Sequence, residues 1–129
     1  MPTQRLQPRG ELALRTVAMP ADTNPAGDIF GGWIMSLMDL AAGVSAGTRA
    51  KGRVATAAVS NLSFIQPVKV GDVVCVYTEI VRTGRSSVIL GVEAWVLRRG
   101  QGGRERVTDA EFVLVAVDET GRPRPLPEE

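Results

Sequence analysis

Residues 24–33, NPAGDIFGGW, combine turn-forming residues, one carboxylate and a pair of glycines. The proline and the first glycine favour a loop that delivers Asp28 to the start of a helix. Gly31 and Gly32 fall in the first helical turn, where glycine costs about 1 kcal/mol relative to alanine but leaves free amides open to close approach. A carboxylate beside such amides suits hydrolysis of a carbonyl compound, because the amides hold the oxyanion while the carboxylate activates water or attacks directly.

The same residues also have a structural interpretation. An aspartate is a common helix N-cap, since the orphan amides and the helix dipole favour its charge, and glycines can admit a neighbouring chain. Asp39 follows Asp28 at a distance of about 16 Å along the helix axis, so a single acyl carbon cannot react at both. Asp39 is therefore interpreted either as structural or as assisting.

The composition narrows the chemistry further. The 129 residues include 15 basic and 14 acidic side chains with a net charge of +1, which predicts neither nucleic acid nor a membrane as a partner. The chain has no histidine, which removes Ser-His, Cys-His and Asp-His arrangements and almost every catalytic zinc site. The single cysteine, Cys75, lies in an apolar run and is predicted to be a buried thiol in a reducing cytosol.

The spacing of apolar residues along the chain predicts which helix, loop or strand carries each candidate residue. Apolar residues at three-to-four spacing predict a helix from Ile29 to about Lys51, with Asp28 at or beside its N-cap and Gly52 as its stop. Turn residues predict a loop at 20–27. Strands are predicted at 11–19, 53–64, 73–82, 86–98 and 107–118.

The order of these elements predicts an α+β architecture. A helix that is apolar nearly all round must be wrapped by other structure, and a curved antiparallel sheet of about five strands, the last four in a meander, does this. We expect a single domain over 1–129, with a loose arm at about 1–10 and a Pro-rich tail at about 119–129. The N-terminus lacks an apolar signal segment and no stretch suits a membrane span, which predicts a cytoplasmic protein.

Several segments resemble the bacterial acyl-CoA hydrolases of the YciA type, within the hotdog thioesterase family. They include AMPADTN at 18–24, GDIFGGW at 27–33, FIQPV at 64–68, GDVV at 71–74 and TGRSS at 83–87. The resemblance covers about Leu14 to Pro127. It implies a hotdog fold and hydrolysis of acyl-CoA to free CoA and a carboxylic acid, without a cofactor, since CoA is part of the substrate.

The resemblance also implies roles for particular residues. Asp28 would be the catalytic carboxylate, either a general base or a nucleophile that forms an anhydride, and Asn24 would lie near the reacting thioester. Amides near Gly31 and Gly32 would polarise its carbonyl. By analogy the site lies between two subunits, so that Asn24 and Asp28 of one site come from different chains. At least a homodimer, commonly a trimer of dimers, is implied.

CoA has a candidate site in a hairpin that offers hydroxyls, a glycine and cationic groups. Its residues are Arg82, Thr83, Gly84, Arg85, Ser86 and Ser87, with Asn61 as a candidate for the pantetheine channel. An ordinary polar hairpin explains the same residues. Trp33, Ile34 and Leu37 are interpreted as core more readily than as acyl pocket.

Two other functions are compatible with a fold of this kind. A non-catalytic hotdog module that binds acyl-CoA as a sensor or regulator would not need Asp28 beside polarising amides. A hotdog hydratase or dehydratase is disfavoured by the absence of histidine. Hydrolysis of a thioester is therefore the leading hypothesis.

Overall fold

The computed structural model describes residues 7–98, 100 and 102–129. The elements in chain order are β1 (Glu11–Val17), α1 (Gly31–Ala50), β2 (Val54–Phe64), β3 (Val73–Thr83), β4 (Ser87–Leu97) and β5 (Glu105–Ala116). A short 3₁₀ turn, Pro20–Asp22, lies between β1 and α1. Each predicted helix and strand is present, and their ends differ from the prediction by at most two residues.

The strands form one antiparallel sheet in the order β1-β3-β4-β5-β2. The predicted meander of the last four strands is therefore wrong at one connection, because β2 pairs with β5, with Phe64 opposite Thr108, and not with β3. Three residues link α1 to β2, so β2 must return directly along the helix. By taking the edge opposite β1, it lets the sheet curve around the helix from both sides.

One face of α1 packs against this sheet. Its buried residues recur at the helical period: Ile34, Met38, Ala41, Ala42, Ala46 and Ala50. Four of them are alanines, which allow the helix to lie close to the strands. Alternate residues of the central strands, among them Val76, Leu90 and Phe112, complete the same buried cluster.

The opposite face of α1 stays open in a single chain. Leu40 and Val44 are 59% and 55% exposed. The curved sheet of one chain covers the other side of the helix and leaves this face uncovered. An apolar stripe beside the free edge of β2 is a surface that a second chain can cover.

The two ends of α1 differ from the predicted caps. The N-cap is Phe30, whose position receives no hydrogen bond from a side chain, so Asp28 lies two residues before the cap and does not act as one. At the other end Lys51 is the C-cap, in the left-handed conformation at φ 54°. The stop therefore comes one residue before the predicted Gly52, whose N–H donates to the carbonyl of Gly47 at 3.3 Å.

The sheet face away from the helix carries a small second core. Cys75 is buried there with Tyr77 and Trp95, which confirms the predicted buried thiol. Nε of Arg15 donates to its Sγ at 3.2 Å, and this hydrogen bond raises the pKa of Arg15 above its ordinary value.

Of the predicted arm at 1–10, residues 1–6 lie outside the described part of the chain. The N–H of Arg9 donates to Oε1 of Glu93 at 3.2 Å, which ties this end of the described chain to β4. Over the described ranges, no helix has the length and apolar character needed to cross a membrane.

Candidate functional site

The loop before α1 is shaped by Asn24. Its side-chain Oδ1 accepts hydrogen bonds from the N–H groups of Ala26 at 2.9 Å and Asp28 at 3.1 Å. Its own N–H donates to the carbonyl of Asp28 at 2.7 Å, and the N–H of Gly27 donates to its carbonyl at 2.9 Å. Gly27 has φ 89°, a conformation that glycine adopts at little cost. Asn24 and Asp28 are thus neighbours within one chain, and the loop satisfies many of its own polar groups.

The carboxylate of Asp28 forms an ion pair with Lys69. Lys69 lies in the connection between β2 and β3, and its N–H donates to Oδ2 of Asp72 at 2.9 Å. Asp72 is buried, and its Oδ2 also accepts a hydrogen bond from Nε of Arg98 at 3.3 Å. Lys69 was missed from the sequence because it is 41 residues from Asp28 and no local pattern links them.

The first turn of α1 presents backbone donors. Among the described residues, the N–H groups of Gly31 and Gly32 have no hydrogen-bond acceptor. A Cβ on Gly31 would lie 2.9 Å from Cζ of Phe64, and one on Gly32 would lie 3.2 Å from Cε2 of Phe30. Tight packing against aromatic rings therefore explains the two glycines, while their amides stay available to a ligand.

Asp39 lies in a different setting, on α1 about 12 Å beyond its first residue. Its side chain is exposed, and Oγ1 of Thr56 on β2 donates to its Oδ1 at 2.5 Å. Leu40 and Val44, the exposed apolar residues of the open helix face, follow it closely along the helix. Asp39 therefore combines a carboxylate, a hydroxyl partner and a surface suited to contact with another molecule.

The predicted CoA hairpin lies at the other end of the molecule. The N–H of Gly84 donates to the carbonyl of Ser87 at 2.9 Å, and the N–H of Leu126 in the C-terminal tail donates to the carbonyl of Arg85 at 2.8 Å. Asp28 contacts Lys69 in the turn just before β3 begins, whereas Thr83 is the last residue of β3, so the two are separated by about 30 Å along the strand. One chain does not bring the hairpin and the NPAGDIFGGW segment together.

Asn61 is also separate from that segment. It interrupts the pairing of β2 with β5 and has φ 54°, which is uncommon for a residue other than glycine. It lines a polar groove of about 540 Å³ with Glu79, Glu111 and Asp109. This groove is lined by more acidic than basic residues.

The three apolar residues at the start of α1 belong to the core, as interpreted from the sequence. Ile34 is buried, and Trp33 and Leu37 are partly buried against the same cluster. Ile34 also borders a groove beside the first turn of the helix.

A comparison with known families and proteins gives a consistent result. Residues 26–102 match the model of the thioesterase superfamily. The acyl-CoA thioester hydrolase YciA of Salmonella typhimurium is 50% identical, with 98% of each chain covered. A hexameric thioesterase from Yersinia pestis has 52% identity and a TM-score of 0.90, covering 95% of this chain and 100% of that one.

An acyl-CoA hydrolase from Staphylococcus aureus, solved with butyryl-CoA and CoA, has 26% identity and a TM-score of 0.82, covering 88% of this chain and 70% of that one. These matches confirm the α+β hotdog class, with one long helix against a curved five-stranded antiparallel sheet. The chain belongs to the thioesterase superfamily, among relatives that are named acyl-CoA thioester hydrolases.

Proposed function

We propose that this protein hydrolyses acyl-CoA thioesters to free CoA and a carboxylic acid. The observation that carries the proposal is 50% identity, over almost the whole of both chains, with an enzyme of that name. The free amides of the first helical turn and the carboxylates of Asp28 and Asp39 are groups of the kind that the reaction needs. The reaction needs no cofactor, and the free thiol of Cys75 favours the cytoplasm as its location.

The geometry favours Asp39 over Asp28 as the catalytic carboxylate. Asp28 is engaged by the ammonium group of Lys69, and the loop around it is closed by its own hydrogen bonds. Asp39 has a hydroxyl partner in Thr56 and lies on the open face of the helix. The assignment of Asp28 as catalytic, drawn from sequence, stays a prediction that a matched variant can test.

A spacing in one relative supports the same choice. Two variants of the Staphylococcus aureus hydrolase have been crystallised. One replaces an asparagine with alanine, and the other replaces an aspartate 15 positions beyond that asparagine with alanine. This chain has two asparagines, and an aspartate follows at that distance only for Asn24, where it is Asp39. The pair Asn24 and Asp39 therefore fits the spacing, whereas Asn24 and Asp28 do not.

The proposed site needs two subunits. Within one chain, Asp39 is about 12 Å along the helix from Gly31, too far for both to contact one thioester carbonyl. We infer that Asn24 and the amides of Gly31 and Gly32 come from one protomer, and Asp39 with Thr56 from its partner. The open face of α1 and the free edge of β2 support a homodimer. A hexameric relative favours a trimer of dimers.

The same reasoning applies to CoA. The hairpin at 83–87, with Arg82 beside it, lies about 30 Å from the start of α1 in its own chain. It can serve a site at that helix end only from another protomer, where its hydroxyls and two arginines would contact pantetheine amides or phosphates. Asn61 stays a candidate for the pantetheine channel.

In the proposed reaction, the N–H groups of Gly31 and Gly32 donate hydrogen bonds to the thioester oxygen as its negative charge develops. Asp39 removes a proton from water, the water oxygen bonds to the acyl carbon, and the carbon–sulfur bond breaks. The CoA thiolate leaves and takes up the proton. Alternatively, Asp39 attacks the acyl carbon, the carbon–sulfur bond breaks and the CoA thiolate leaves, and water then hydrolyses the anhydride that has formed. Turnover in ¹⁸O-labelled water tests the anhydride route, because label enters the carboxylate of Asp39 only when water attacks the Asp39 carbonyl of the anhydride.

A panel of acyl-CoAs of different length and aromaticity, assayed for release of free thiol, tests the proposed function. Release of CoA from at least one member, with the purified protein and no added cofactor, is the expected result. Tight binding of acyl-CoA without any release would instead favour a sensor or regulator.

A further inference from the structure

A groove of about 450 Å³ lies beside the first turn of α1. Its walls are largely apolar and include Ile34, Phe64, Ile65 and Pro67, while Gly31 lies at the same groove. Because the amide of Gly31 belongs to the proposed oxyanion site, a thioester held there would have this groove open to its acyl group. Apolar walls would hold the methylene groups of that chain.

A buried polar side chain also lines this groove. Thr108 on β5 is 1% exposed, and its Oγ1 has no hydrogen bond among the described residues. It lies between Phe64 of β2 and Ala94 of β4 in the sheet, and it lines the groove. A buried hydroxyl without a partner is destabilising, and it gains most from a ligand atom that completes its hydrogen bond.

We propose that this groove binds the acyl group and that Thr108 selects acyl chains carrying an oxygen atom, such as hydroxyacyl groups, over plain hydrocarbon chains. The inference rests on the proposed thioesterase function and adds a substrate class to it. A site built around a buried polar group distinguishes an oxygen-bearing ligand from one that lacks the oxygen, because the latter leaves that group unpaired.

The test compares kcat/KM for hexanoyl-CoA, 3-hydroxyhexanoyl-CoA and 6-hydroxyhexanoyl-CoA with the intact protein. At least one hydroxylated substrate is expected to exceed hexanoyl-CoA by about three- to tenfold, as one neutral hydrogen bond provides. In Thr108→Val, which keeps the shape and removes the hydroxyl, this ratio should fall to about one, while Thr108→Ser should keep most of it. The melting temperature of the valine variant should not fall, since no hydrogen bond is lost.

Equal kcat/KM for all three substrates in the wild type, or a preference that persists in Thr108→Val, would overturn the proposal. Titration calorimetry of the same three CoA esters with Asp39→Asn, which is expected to turn them over slowly, gives the comparison independently of turnover. If no ester is hydrolysed, the proposed function fails, whereas tighter binding of a hydroxyacyl-CoA that is lost in Thr108→Val would still support the groove assignment.

Discussion

Two aspartates, one just before α1 and one near its middle, differ in what surrounds them. Asp28 lies in a loop that Asn24 closes by hydrogen bonds, and its carboxylate is paired with Lys69. Asp39 lies on the exposed side of the helix, and its contact is the hydroxyl of Thr56. The polar groups around Asp28 find partners within their own chain, whereas Asp39 lies on a face of the helix that this chain leaves uncovered.

The segment with the most recognisable motif therefore need not be the one that supplies the reacting carboxylate. The segment NPAGDIFGGW has the more specific sequence, but much of its polar potential goes into building a loop and a helix entry. Asp39 belongs to an ordinary helical stretch, but in the proposed dimer it would contact a substrate held by the other protomer. In that proposed site, the NPAGDIFGGW segment supplies amides and Asn24, and the middle of the helix supplies the carboxylate.

The largest expected effect separates the two aspartates. Asp39→Asn should lower kcat for release of free thiol by about 10²–10⁴-fold, because it removes the general base or nucleophile while keeping size and hydrogen bonding. Asp28→Asn, the matched control, should lower kcat by less than about tenfold, because its carboxylate helps to hold a loop. Melting curves for both variants establish that they fold. A large loss in Asp28→Asn with near-normal Asp39→Asn would reverse the assignment.

A smaller effect is expected at the partner of Asp39. Thr56→Val should lower kcat by about tenfold with little change in KM, since a hydrogen bond to a charged group is lost. Thr56→Ser keeps the donor and should recover most of the rate. If valine and serine variants behave alike, the hydroxyl does not position the carboxylate.

The smallest effects are expected at the distant hairpin. Arg82→Ala and Arg85→Ala should each raise KM about three- to tenfold at low salt and leave kcat nearly unchanged, because they remove contacts to phosphate and not to the reacting carbon. The difference should shrink as salt is added. Arg15→Ala, on the sheet face away from the helix, is the control. A hairpin variant that matches this control would mean that phosphate binds elsewhere.

The helix and the strands could be predicted from the sequence because the spacing of apolar residues that identifies each of them is local. Helical spacing placed α1, and alternation placed the strands to within two residues. The partner of β2 was not predictable in the same way, since pairing with β5 joins residues about 50 positions apart. Likewise, an apolar helix indicates only that it will be covered, not whether its own chain or another supplies the cover.

The candidate site shows the same limit at the level of single residues. Turn chemistry identified the loop at Asn24 and Asp28, and glycines identified the free amides, because these depend on a few consecutive residues. The ion pair of Asp28 with Lys69 and the hydrogen bond of Asp39 with Thr56 join different elements. The first two features were therefore predicted, and the contacts that separate the two aspartates were not.

The central claim is that one active site draws on two chains, and subunit complementation tests it most directly. Asn24→Ala and Asp39→Asn should each be nearly inactive alone. When they are co-expressed with different tags and mixed assemblies are isolated, a mixed dimer has one site with both residues intact. An isolated mixed dimer should then show about half of the wild-type kcat per protomer, and a mixed hexamer of randomly paired dimers about a quarter. Mixed assemblies as inactive as the parent variants would contradict a site shared between Asn24 of one protomer and Asp39 of its partner.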